Sequence, residues 1–143
     1  MRRILIALTI FTATTVCGNA QAQDGASARA WMETNLKADG WSYLGSATDL
    51  IAIYRRALAP PSSKRAWIRY EHTAPTKDGV RSRVMLYDVD CSQYRVRQLQ
   101  SSTYSRNNMQ GEGQREGEVA SWEYGAPGTF LEAFAQAICS DES

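Results

Sequence analysis

Val80-Arg81-Ser82-Arg83-Val84-Met85-Leu86-Tyr87-Asp88-Val89-Asp90-Cys91 is the stretch that decides how this chain folds. Its period is two, with Met85, Tyr87, Val89 and Cys91 on one side of an extended backbone. Residues 64–73 alternate in the same way. Ala66, Ile68, Tyr70 and His72 fall on one face, and Arg65, Trp67, Arg69 and Glu71 on the other. Between the two runs, Pro75 and the Asp78-Gly79 pair supply a hairpin connection, because glycine accepts the positive φ that such turns need. Residues 92–104 follow so closely that antiparallel pairing is the simplest outcome.

Toward the N-terminus, residues 41–45 and 49–58 are strand-like, and Pro60-Pro61-Ser62-Ser63 stops the second. Residues 23–39 are polar and alanine-rich, with Ala28, Trp31, Met32 and Leu36 at helical spacing and Gly40 to end a short helix. Toward the C-terminus, residues 105–118 carry Gly111, Gly113 and Gly117 with almost no apolar content, which reads as a loop or a strand extension. A last short strand is expected over 119–124. Thr129 and Glu132 then form a capping box, and Phe130, Leu131, Phe134 and Ile138 make one apolar stripe of a closing helix.

Arg2 and Arg3 precede an apolar run over residues 4–16, and Ala20-Gln21-Ala22 offers a small-x-small cleavage pattern. Such a run rises only about 20 Å as a helix, short of a bilayer's hydrocarbon core, so residues 1–22 read as a signal peptide and not a membrane span. Retention of Cys17 as a lipid-bearing cysteine is the alternative, but Val16 and Thr14 match that signal poorly. Cys91 and Cys139 remain, and an even pair in an oxidising compartment reads as a disulfide. The expected fold is therefore α+β. It is an antiparallel sheet of five to six strands with a C-terminal helix packed on one face and tied by that bond. Residues 23–40 form an N-terminal extension and 41–143 the domain.

Charge bounds the partners. Loss of Arg2 and Arg3 takes the 16 basic residues to 14 against 15 acidic ones, which argues against a nucleic-acid binder. Enzyme readings lack parts. His72 is the one histidine, no nucleophile elbow or phosphate loop is present, and a disulfide would consume both thiols. Asp88 and Asp90 share a strand face, where they read as a solvated strand end or as partners for nearby arginines; no third ligand has metal-site spacing. No cofactor is expected. The basic pairs are more informative. Arg65 and Arg69 flank Trp67, and Arg95 and Arg97 form a second i, i+2 pair. If neighbouring strands gather these five residues, they make a cationic, aromatic surface for sulfate, phosphate or carboxylate groups. If register separates them, they are ordinary outward-facing arginines paired with acids such as Glu71 or Asp88.

A leader, Trp41-Ser42-Tyr43, the Trp67-Ile68-Arg69-Tyr70 strand and the Asp88-Val89-Asp90-Cys91 strand end follow one another in this chain. Tyr94-Arg95-Val96-Arg97, Pro127-Gly128-Thr129 and the terminal Ile138-Cys139 complete the series. Over residues 41–139 this arrangement resembles the surface-adhesin protein E family of bacterial exported domains. The resemblance implies an antiparallel sheet with its C-terminal helix held by the matching disulfide. It also implies host-facing adhesion through extracellular-matrix or serum proteins, and a possible homodimer. The expected function is a non-enzymatic binding module at the cell envelope, periplasmic or surface-exposed, with a polypeptide or acidic glycan partner. The alternative is a periplasmic inhibitor of a cell-wall hydrolase such as lysozyme, using residues 110–117 as the plugging loop.

Overall fold

The computed structural model describes residues 20–57, 64–117 and 119–140. The apolar leader with Cys17, and the Pro60-Pro61 stop, lie outside the described residues. In chain order the elements are α1 (Ala20–Asn35), β1 (Ser42–Ala47), β2 (Leu50–Arg56), β3 (Lys64–His72), β4 (Ser82–Asp90), β5 (Arg95–Arg106), β6 (Gln110–Glu116), β7 (Glu123–Tyr124) and α2 (Phe130–Ser140). Strands β1 to β6 lie side by side in sequence order, every pair antiparallel, and β7 pairs with the start of β5.

Alternation in β3 and β4 gives the sheet two different faces. Ala66 and Ile68, with Met85, Tyr87, Val89 and Val96, form the core beneath α2. Phe134, Ala135 and Ile138 of α2 enter this core, and Phe134 meets Tyr87 and Tyr54 at ring separations of 5.7 and 6.4 Å. Thr129 caps the helix through the Glu132 amide, and the Glu132 carboxylate reaches back to the Gly128 amide at 2.7 Å. At the other end, Arg56 donates to the Ile138 carbonyl at 2.8 Å, satisfying a group that the last turn leaves open. The Cys91–Cys139 disulfide joins that turn to the end of β4, with Cα atoms 5.5 Å apart. The expected helix, pairing order and bond are all present.

One open reading is resolved and two expectations are corrected. Residues 110–116, sparse in apolar side chains and read as a loop or a strand extension, are strand β6. The reason is cross-strand: Gly113 faces Tyr104, whose ring lies where a Gly113 side chain would go, 3.0 Å from the position of its absent Cβ. An aromatic on the partner strand thus covers a glycine on the edge strand. Second, the short strand expected over 119–124 shrinks to Glu123–Tyr124. Third, the face carrying Arg69 and Glu71 is not uniformly outward. Helix α1 and the turn after it pack Ala28, Trp31, Met32 and Leu36 over Ile51 and Ile53, closing that half of the face.

A bulge at Leu99 sets which way β5 points. Leu86 pairs with Gln100, but Tyr87 pairs with Gln98, so Leu99 is an extra residue. Without it, Val96 would leave the core and Arg97 would turn toward α2. With it, Arg95 and Arg97 stand opposite Asp90 and Asp88.

Candidate ligand-binding face

Cross-strand partners share a face, so the register collects four of the five sequence candidates on the half of the sheet that α1 leaves open. Asp88 on β4 lies between Arg65 on β3 and Arg97 on β5. Arg65 Nε donates to Asp88 Oδ1 at 2.6 Å, and Arg97 Nη2 donates to Oδ2 at 2.8 Å. Arg95 Nε donates to Asp90 Oδ2 at 2.9 Å, and Ser92 adds its amide and hydroxyl to the other Asp90 oxygen. The Trp122 ring lies over both Arg95 and Arg97, with centroid distances of 4.9 and 4.7 Å. In the next row, Trp67 stands opposite Arg55, and Arg55 in turn stacks on Trp41 at 4.7 Å.

Burial opposes ionisation of Asp88, but the hydrogen bonds from Arg65 and Arg97 outweigh it and hold the carboxyl below the ordinary carboxylate range. Asp90 is lowered too, chiefly by the Ser92 hydroxyl and then by Arg95. Both carboxylates are thus held as anions, Asp88 between two arginines and Asp90 between Arg95 and Ser92. Side chains of Arg65, Arg95 and Arg97 keep 30–35% of their surface exposed, so solvent screens these pairs and each adds little to the stability of the fold. Their effect is positional. Four guanidinium groups against two carboxylates leave a cationic surplus, already fixed in place before any ligand arrives.

Arg69, the fifth candidate, belongs to a closed site. It is 1% exposed, and Glu71 beside it is fully buried. Arg69 donates to Glu71, to the Lys37 carbonyl and to Asn108 Oδ1. Glu71 also accepts from Ser82 Oγ, Asn107 Nδ2 and the Asn108 amide. Asn108 in turn holds Lys37 N and the Asn35 carbonyl, so this network clasps the end of α1 to the β5–β6 turn. Trp41 marks the boundary, because its ring faces Arg55 on the open side and Arg69, 5.4 Å away, on the closed side.

Other features lie elsewhere. His72 is half-buried, and desolvation and then Arg83 pull its pKa down, so the ring is neutral at neutral pH. Among the described residues, no group of three or more His, Cys, Asp or Glu side chains is placed to hold a metal ion. Among the described residues, cavities of about 440–610 Å³ lie between Tyr94 and α2, near the Asp78-Gly79 turn and beside Trp31, each away from the arginine face. Trp122, Arg55 and Trp41 were not singled out from sequence as ligand contacts.

Residues 41–140, which span the sheet, its disulfide and α2, match the description of surface-adhesin protein E. The chain belongs to the surface-adhesin protein E family. Its fold is similar to that of Haemophilus influenzae protein E in crystal form II, with a TM-score of 0.55 and 17% identity over 76% of this chain and 92% of that one. No curated protein shows significant similarity to the chain. The family match stops short of α1, so the clasp built on Asn35 and Lys37 lies at and beyond its N-terminal limit.

Proposed function

We propose that this member of the protein E family is an exported, non-enzymatic binding module. Its ligand surface is the open arginine–tryptophan face, and its partner is acidic: a matrix or serum protein, or an acidic glycan. Family membership supports adhesion at the cell surface, and the leader-like first residues agree with export. The observation that carries the reading is the Arg65–Asp88–Arg97 ladder with Trp122 across its end. Two aspartates neutralise only part of this cluster, and they hold the guanidinium groups half-exposed at fixed positions. Nothing in the packing of the sheet demands so many arginines there, since pairs this exposed add little stability.

The test is charge reversal on that face. Arg95→Glu with Arg97→Glu should abolish binding to immobilised matrix proteins and to heparin, while Arg83→Glu, an exposed change on the opposite face, should not. Undiminished binding by the double variant, with the wild type binding, overturns the proposal. Reversing Arg69 is not an equivalent test, because that residue is buried and its loss would disturb the fold itself.

A further inference from the structure

The open face is linear, and its shape constrains the ligand further than its charge does. Resting on the function proposed above, we propose that the face is a track for a linear sulfated or uronate-bearing polysaccharide. The chain would run across the strands from Trp122 to Trp41. The order along that line is Trp122, Arg95 and Arg97 on β5, Asp88 on β4, Arg65 and Trp67 on β3, Arg55 on β2 and Trp41 just before β1. Cationic side chains, interspersed with aromatic ones, therefore extend over four strand intervals, about 19 Å at the usual spacing between strands. A pyranose advances along its chain by close to one such interval, so the track accommodates about four to five sugars. Anionic substituents would meet the guanidinium groups, and the C–H faces of the rings would lie on the indoles.

Three features favour a polysaccharide over an acidic protein. A protein interface concentrates binding in an apolar, uncharged centre, and here each of β2, β3 and β5 brings arginine to the face. The cavities beside Tyr94, the Asp78-Gly79 turn and Trp31, where an anchoring side chain could seat, lie off the face. Asp88 and Asp90 hold Arg65, Arg95 and Arg97 in place, and Trp41 holds Arg55, so charges on successive strands are fixed, which suits a ligand whose charges repeat. Arg55 and Trp41, at the far end, become ligand contacts on this reading. They also make its length measurable.

The experiment uses the mature protein with size-fractionated heparin fragments, polyglutamate of matched charge and oligothymidylate, in calorimetric titrations. Affinity should climb from disaccharide to hexasaccharide and then level off. Arg55→Gln should weaken the hexasaccharide about tenfold, the loss expected for one charge-assisted contact, and leave the disaccharide unchanged. Affinity that is flat with fragment length, or insensitive to Arg55, overturns the track while the Arg95/Arg97 variant still tests the broader function. Equal or tighter binding of polyglutamate assigns the face to acidic polypeptides instead. Equal binding of oligothymidylate makes it a general polyanion surface, and either result refutes the inference.

Discussion

Replacing Glu71 with alanine should be among the most damaging single changes to this domain. The Glu71 carboxylate is fully buried and receives hydrogen bonds from Arg69 Nε, Ser82 Oγ, Asn107 Nδ2 and the Asn108 amide. Removing it leaves the Arg69 guanidinium as a 1%-exposed cation without its counter-charge, and the Ser82 hydroxyl and Asn108 amide without this acceptor, while Asn107 keeps the His72 and Arg81 carbonyls. Breaking a buried pair from one side costs about 3–5 kcal/mol, and the orphaned donors place the loss near the upper end. For a domain of this size about 4 kcal/mol lowers the melting temperature by roughly 15 °C. The pairing itself is a weaker source of stability than its loss suggests, so Arg69→Met combined with Glu71→Leu should recover much of the deficit. Thermal and urea unfolding of the wild type, both single variants and the double variant would measure the coupling. A cost below about 1 kcal/mol for Glu71→Ala would show that the clasp does not hold Arg69 as described.

Reducing the Cys91–Cys139 bond, which spans a sequence separation of 48, should cost about 4 kcal/mol by the chain-entropy argument; urea midpoints with and without reductant check it, and coincident curves would contradict it. Gly125→Ala should destabilise by about 2–3 kcal/mol, because its Cβ would lie 2.3 Å from the Glu132 amide nitrogen on the backbone of α2; an unchanged melting temperature would refute that contact. Asp88 ionises more readily in the folded state than in the unfolded chain, so its contribution is complete at neutral pH. That contribution fades as the pH falls below the ordinary carboxylate value of about 3.9. The stability gap between wild type and Asp88→Asn should therefore narrow in acid, and a gap constant with pH would deny the arginine ladder.

Much of the architecture was legible because burial imposes a period. Met85, Tyr87 and Val89 announced a strand with one covered face, and Phe130, Phe134 and Ile138 a helix to cover it. Strand β6 stayed undecided between loop and strand extension because its stabilising partner, Tyr104, sits on another strand, and no local pattern in residues 110–116 carries that fact. The candidate face was half legible. The i, i+2 spacing of Arg65 and Trp67, and of Arg95 and Arg97, gave each pair its shared side. Their meeting across Asp88 depends on the Leu99 bulge, a register event that spacing alone does not encode. Arg69 diverged for a related reason, since alternation says which side a residue faces but not whether a helix from another part of the chain lies over it. Trp122 sits on a nearly irregular segment, where periodicity gives no orientation at all.

The most direct measurement of the central claim is a residue-resolved map of the bound face. The four tryptophan indole N–H signals serve as reporters, because Trp67 and Trp122 stand on the open face, Trp41 on its boundary and Trp31 on α1, packed over the closed half. On addition of a heparin hexasaccharide in a two-dimensional NMR titration, Trp67 and Trp122 should shift together and saturably, with Trp41 following and Trp31 still. Shifts confined to Trp31, or to the Tyr94–Tyr124 end of α2, would put the ligand on another surface and contradict the account.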